Sequence, residues 1–346
     1  MTRALDRLLD ANGNRAAEGL RVLEDVARFL LDDATLAELA KAHRHAVRSA
    51  IPATAVAARD TAGDVGTTIT ASDEMRRARL VDLIRANAAR VQEALRACEE
   101  ALKLIGQSSG AAAIEAARYA VYRLETGLLA RLPAWRLHQV RLYALVDTSL
   151  TDDPVRVAGA VARGGAGAVQ LRAKHLDERA YHDLALRVQE ATRTNGALFV
   201  VNDHVAVARA ITADAVHIGQ TDLGVTETRA VVGPGCAVGL STHTPEQVVA
   251  GLAAGADYLG LGPMFATSTK PHEPERGPEL LDAVRERLRS HGRPSYAIGG
   301  LDRERIAALR PRLPHGVAVA GALCRASDPE RAAAELLLLL DPDEFA

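Results

Sequence analysis

Eight short β-rich runs recur at close spacing from Arg141 onward: LYALVD (142–147), AVQLRAK (168–174), ALFVVND (197–203), AVHIGQ (215–220), AVGLST (237–242), YLGLGPMF (258–265), SYAIGG (295–300) and VAVAGAL (317–323). Most are followed by a stretch whose apolar residues return at helical spacing. The runs are almost continuously apolar, as parallel strands buried on both faces are. Eight strand–helix units in about 200 residues are what a (β/α)8 barrel needs. Residues 141–346 are therefore predicted to form an α/β barrel of the TIM type.

The first part of the chain follows other rules. Residues 1–132 carry almost no strand signal, and their apolar residues (Leu8, Leu9, Leu20, Leu23, Val26, Leu30, then Leu83, Ile84, Val91, Leu95, Leu102, Ile105) keep helical spacing. The stretch ANGNRAAEGLRVLED (11–25) returns as ANAARVQEALRACEE (86–100), and HRHAV (43–47) returns as ARYAV (117–121). A duplicated helical hairpin packed as an all-α four-helix bundle is the simplest reading. Residues 133–140, with Pro133 and the only Trp, are the expected linker.

A chain of 346 residues with 48% apolar content can fill two cores, and its net charge of -2 gives no basis for a nucleic-acid or membrane surface. There is no leader pattern and no apolar run near the length of a membrane span. Cys98, Cys236 and Cys324 are far apart and match no metal spacing, so reduced thiols in a cytoplasm are expected.

In a parallel barrel the C-terminal strand ends share the rim where active sites form. Here six successive ends are polar. Gln170, Arg172 and Lys174 alternate and point to one face. Asn202 and Asp203 follow, then Gln220 and Asp222, then Ser241, Thr242 and His243, then Thr267, Thr269 and Lys270, and finally Gly299 and Gly300. Arg172, Lys174 and Lys270 offer cations for phosphate, and Asp203 and Asp222 are hard oxygen ligands suited to Mg²⁺. The glycines let backbone N–H groups approach a second phosphate. Together these suggest a diphosphate leaving group whose departing charge is stabilised. Bland readings stand beside each: a helix cap for a lone Asp, a barrel-interior ion pair for Arg172 or Lys174, a turn for the glycines, and a hydrogen-bonded core residue for His243.

The motifs QLRAK, VND, GQTD, GLSTHT, GLGPMFATSTK and AIGG, in this order, closely resemble those of thiamine phosphate synthases. The resemblance implies coupling of hydroxymethylpyrimidine diphosphate to thiazole phosphate with release of diphosphate. The diphosphate leaves first, and the thiazole nitrogen captures the pyrimidine cation. Carried over, Gln170, Arg172, Lys174, Asn202, Ser241 and Lys270 hold the pyrimidine diphosphate, with Arg172, Lys174 and Lys270 in the catalytic role, and Asp203 and Asp222 bind Mg²⁺. Thr267, Thr269, Gly299, Gly300, Ala320 and Gly321 surround the thiazole phosphate. Ala320 and Gly321 depart from the family pattern, which has an aliphatic residue and Ser there; this predicts weaker thiazole affinity. A thiazole tautomerase of the same fold is the alternative, and it would not need the cations and paired aspartates.

In the helical half, Glu18, Arg21, Glu24, Asp25 and Arg28 fall on one side and read as a solvated face. Asn12 and Arg15, with their echoes Asn87 and Arg90, project toward the apolar side and need a buried carboxylate or a ligand phosphate. The connector ARDTAGDVGTTIT (58–70) adds Arg59, Asp60 and Asp64, candidates for phosphate and Mg²⁺, although an ordered cap-and-turn loop is also consistent. NRAAEGLRVLEDVARF, HRHAV and RDTAGDVG resemble an alternative hydroxymethylpyrimidine-phosphate kinase family. That resemblance implies ATP as a substrate of this half; a non-catalytic dimerisation or regulatory bundle is the alternative. The implied partners are small-molecule substrates, without nucleic acid or membrane, and a homo-oligomer of the chain is also consistent.

Overall fold

The computed structural model describes residues 2–59, 80–266 and 275–340. Asp60, Asp64, Thr267, Thr269 and Lys270 lie outside the described residues. The chain divides into two compact units, residues 1–132 and 133–346.

The first unit is helical. Helix α1 (Thr2–Asp25) runs on into one π-helical turn (Val26–Leu30), followed by α2 (Ala34–Ala50), the short α3 (Ala53–Ala57), α4 (Leu80–Leu104) and α5 (Ser108–Leu137). The two hairpins α1/α2 and α4/α5 repeat as expected. One core joins all four long helices, with Leu20 and Leu23 from α1, Val47 from α2, Val91 and Leu95 from α4, and Ile114 and Val121 from α5. A Cβ on Gly19 would come within 2.5 Å of Val91 Cγ2, so α1 and α4 meet at a distance that only glycine permits.

The polar residues of the repeat are arranged differently from the sequence expectation. Glu24, assigned to the solvated face, is 4% exposed and accepts a hydrogen bond from Arg44 Nε at 2.9 Å. Its repeat counterpart Glu99 is 1% exposed and bonds Arg118 Nε at 3.1 Å. Arg15 and Arg90, expected to face inward, are exposed. Asn87 is buried, as expected, and Asn12 is half-buried; both donate to carbonyls of their own helices, Leu83 O at 2.9 Å and Leu8 O at 3.0 Å. The reason is the choice of apolar stripe. Large apolar residues alone do not define it: Leu8 is exposed, and the buried face is centred on Leu9, Ala16, Leu20, Leu23 and Ala27. Small alanines carry that face because they admit the neighbouring helix, and the shift brings Glu24 in and sends Arg15 out.

The second unit is a closed parallel barrel in the order β1 to β8: β1 (Leu142–Asp147), β2 (Ala168–Arg172), β3 (Leu198–Asn202), β4 (Ala215–Ile218), β5 (Ala237–Thr242), β6 (Tyr258–Leu261), β7 (Ser295–Ile298) and β8 (Gly316–Val319). Several strands end before the runs in the sequence do, because the polar and glycine residues after them turn out at the rim. Alternate residues face opposite ways. Leu142, Val146, Val169, Leu171, Val201 and Val216 pack in the outer layer with the helices. Tyr143, Leu145, Ala168, Val200, Tyr258 and Tyr296 fill the interior. A Cβ on Gly239 would lie 2.0 Å from Tyr258 Cζ, so that glycine makes room for the Tyr258 ring.

The expected linker is helical through Pro133 to Leu137, and its Leu137 and Val140 are buried with Tyr143 and Tyr296 in the barrel interior. Tyr296 donates its hydroxyl to Leu137 O at 2.7 Å. No helix among the described residues is long and apolar enough to cross a membrane.

Candidate active site

The C-terminal strand ends enclose a cavity of about 500 Å³. It is lined by Gln170, Arg172, Lys174, Asn202, Asp203, Gln220, Asp222, Ser241, His243, Gly299 and Ala320. Among the described residues the predicted rim groups are thus largely brought together; Thr242 is buried away from the cavity and donates to Gly260 O at 2.9 Å. Gly300 and Gly321 are not among the lining residues. Gly300 accepts from Arg305 Nη1 at 2.6 Å, and Gly321 opens the short helix Gly321–Cys324.

Strand parity and register place these groups. Tyr143, Leu145 and Asp147 alternate along β1 and pair with Ala168, Gln170 and Arg172 on β2, so each inward residue has an inward neighbour. At the rim, Arg172 Nη1 bonds Asp147 Oδ2. One turn further, Lys174 Nζ bonds Asp203. Both pairs match the ion-pair reading, and both cations also line the cavity. Asp203 sits at a φ of 61°, a left-handed conformation that Asp tolerates, while its N–H still donates to His217 O at 2.9 Å. Asp222 accepts from Gly219 N–H at 2.7 Å, which folds its carboxylate back over the end of β4.

A polar chain crosses the cavity floor. Ser241 Oγ and His217 Nε2 are 2.9 Å apart, His217 Nδ1 and Tyr258 OH 3.3 Å, and Tyr258 OH and Tyr143 OH 3.1 Å. Gln170 Nε2 completes it by donating to Tyr143 OH at 2.8 Å. Burial pushes the Tyr143 and Tyr258 hydroxyls well above the ordinary tyrosine range, so both remain neutral donors and acceptors at neutral pH. His243 is turned away from this chain and hydrogen-bonds Gly262 O through Nδ1 at 2.5 Å.

Asp147, Tyr143, His217, Tyr258 and Tyr296 line the cavity without having been singled out in the sequence. Parity along LYALVD puts Asp147 on the face of Tyr143 and Leu145, but only the β1–β2 register brings it to Arg172. The tyrosines and His217 lie within strands rather than after them, where an aromatic residue reads as core.

Asp203 and Asp222 both line the cavity and offer carboxylate oxygens of the kind a magnesium ion takes together with water and substrate phosphate. Among the described residues no cluster of three or more metal-ligating side chains occurs. The three cysteines are buried and free; burial pushes the thiols of Cys98 and Cys236 up to about 12, which leaves them protonated and unreactive.

In the helical unit Arg59 Nε and Nη2 each bond the carboxylate of Asp10 at 2.7 Å, and Asn14 Nδ2 donates to the same carboxylate at 3.2 Å. The bond from Arg59 holds the Asp10 carboxyl below the usual carboxylate range despite its burial. Asn12, Arg15, Asn87 and Arg90 have no part in that cluster.

The family model for thiamine monophosphate synthase matches residues 142–323, and the ThiD2 family model matches residues 7–127. A thiamine-phosphate synthase of Synechocystis sp. is 39% identical over 97% of this chain and 96% of its own length. Another from Gloeobacter violaceus is 41% identical over 96% of this chain and 95% of its own. Among solved structures, thiamine phosphate pyrophosphorylase from Pyrococcus furiosus aligns with a TM-score of 0.53 at 30% identity, over 59% of this chain and 96% of that one. With a barrel whose rim carries the motif set in order and relatives alike over nearly the whole of both chains, the chain belongs to the thiamine monophosphate synthase family.

Proposed function

We propose that this thiamine phosphate synthase divides two consecutive steps of thiamine biosynthesis between its units. The barrel couples the pyrimidine diphosphate to the thiazole phosphate. The observation that carries this reading is the convergence of Gln170, Arg172, Lys174, Asn202, Asp203, Asp222 and Ser241 on one cavity. The polar floor of Tyr143, Tyr258 and His217 suits a planar aminopyrimidine ring, with Gln170 and Ser241 fixing its orientation. Arg172, Lys174 and, by motif, Lys270 hold the diphosphate. Asp203 and Asp222 would hold Mg²⁺, which when bound neutralises the departing diphosphate. The C–O bond to the pyrimidine methylene breaks with its electron pair going to the diphosphate. The thiazole nitrogen then gives its lone pair to that carbon, and the positive charge ends on the thiazolium ring. No proton moves in either step, so a site without an assigned general base is consistent with the chemistry. Thr267, Thr269 and the turn at Gly299 and Gly300, with Ala320 and Gly321, hold the thiazole phosphate.

The helical unit phosphorylates hydroxymethylpyrimidine phosphate with ATP, which makes the diphosphate that the barrel consumes. Its likeness to the ThiD2 family supports this. Both activities are placed in the cytoplasm, where the free cysteines stay reduced. The experiment is to give the full-length protein Mg²⁺, ATP, hydroxymethylpyrimidine phosphate and thiazole phosphate. Thiamine phosphate and stoichiometric ADP are expected. Failure to couple added pyrimidine diphosphate overturns the barrel reading; absence of ADP overturns the kinase reading and leaves the bundle as a non-catalytic module.

A further inference from the structure

The cavity contains three carboxylates, and two of them pair with its cations in different ways. Asp203 is 21% exposed in its side chain and faces a Lys174 that is 57% exposed, so it can exchange partners at the rim. Asp147 is different. Its side chain is 3% exposed, and the Arg172 side chain bound to it is 15% exposed. One of its oxygens takes Arg172 Nη1, while the other accepts Ser149 N–H at 2.9 Å and Ser149 Oγ–H at 2.7 Å. The carboxylate is therefore clamped by the turn after β1, and in turn it clamps the guanidinium that stands opposite it in the β1–β2 register.

We propose that Asp147 is a positioning residue for diphosphate recognition: it fixes the Arg172 guanidinium in the orientation that receives the leaving group. The proposal rests on the reading of Arg172 as a diphosphate ligand. An arginine side chain has many rotamers and loses most of them on binding. Holding one N–H on a buried carboxylate removes that loss from the binding step and keeps the guanidinium at the wall of the cavity that Arg172 lines.

Two opposite effects separate this role from a merely electrostatic one. A buried anion beside a diphosphate site repels the ligand, so on charge alone removing Asp147 strengthens diphosphate binding. Loss of positioning weakens it. The sign of the change decides.

The test uses the full-length protein with Mg²⁺ and inorganic diphosphate as the probe, measured by titration calorimetry for wild type, Asp147→Asn, Arg172→Ala and the double variant. Steady-state KM is measured for each substrate in parallel. For Asp147→Asn, diphosphate affinity is expected to fall about tenfold, the scale of one lost charge-assisted hydrogen bond. KM for the pyrimidine diphosphate should rise with it and KM for the thiazole phosphate should stay. The double variant should bind no more weakly than Arg172→Ala alone. Unchanged or tighter diphosphate binding in Asp147→Asn, or additive losses in the double variant, overturns the proposal. Diphosphate binding by Arg172→Ala at wild-type strength overturns the reading of Arg172 itself, and this proposal with it. If Asp147→Asn does not fold, Ser149→Ala serves, because it removes one of the donors that clamp Asp147 and leaves the charge. A smaller loss in the same direction supports the proposal, and no loss overturns it.

Discussion

Replacing Glu99 by Gln tests whether the repeated buried ion pair holds the helical unit together. Glu99 is 1% exposed and accepts from Arg118 Nε at 3.1 Å, Arg96 Nη1 at 3.0 Å and Lys103 Nζ at 2.5 Å. Arg96 and Lys103 are about half exposed and share Glu100, so solvent screens their part. Arg118, with its side chain 14% exposed, loses a charge-assisted bond that water does not replace. That loss is worth about 2 kcal/mol. For a unit of this size, about 2 kcal/mol lowers the thermal midpoint by roughly 6–10 °C. Differential scanning calorimetry of the full-length protein measures it.

The pH dependence follows from the carboxyl itself. Burial raises its pKa, but hydrogen bonds from Lys103 and Arg118 and the nearby charges outweigh burial and leave it below its ordinary value of 4.5. A depressed carboxyl stabilises the fold above its unfolded pKa, and that contribution disappears as pH falls through the folded one. The gap between wild type and Glu99→Gln should therefore be full at neutral pH and close on the acid side of about pH 4.5. Glu99→Met with Arg118→Met should cost less than Glu99→Gln alone, because no buried charge is left without a partner. A drop below about 0.5 kcal/mol at neutral pH, or a gap that persists in acid, would refute the reasoning.

Three further outcomes are expected. Gly321→Ser should lower KM for the thiazole phosphate several-fold: a Cβ there meets only the Arg325 Nη1 end at 3.4 Å, and an unchanged KM in steady-state assays counts against this placement. Arg59→Ala should abolish ADP formation and leave coupling of supplied pyrimidine diphosphate intact, whereas equal loss of both would show that the units do not divide the work. Gly239→Ala should destabilise the barrel by about 3 kcal/mol in denaturant unfolding, since its Cβ would lie 2.0 Å from the Tyr258 ring, and a variant as stable as wild type would mean that Tyr258 can leave the interior.

Parity along single strands made much of the rim legible before any fold was known. Gln170, Arg172 and Lys174 share a face because side chains alternate, whatever the strand's neighbours are. Other local signals exposed the rest: near-continuous apolar runs alternating with helical spacing for the eight-unit barrel, and a sequence repeat for the duplicated hairpin. What they missed depended on partners. Asp147 reads as an ordinary strand end until β1 is laid beside β2 and brings it to Arg172. His217, Tyr143 and Tyr258 form a polar floor only when strands far apart in the chain close into a ring, and Gly239 declares its purpose only beside Tyr258.

In the helices the limit was different. Helical periodicity states that one face is buried but not how wide that face is, because width depends on how closely the next helix approaches. Alanine and glycine on α1 and α4 let the helices approach closely, so the buried band extends to Glu24 and Glu99 and leaves Arg15 and Arg90 in solvent. The sequence by itself determined the elements, their order and the identity of most rim residues, since these follow from local stereochemistry and spacing. Only the tertiary structure decided which charges are paired and which polar groups share a cavity, since pairing energies act between residues that the chain keeps far apart until it folds.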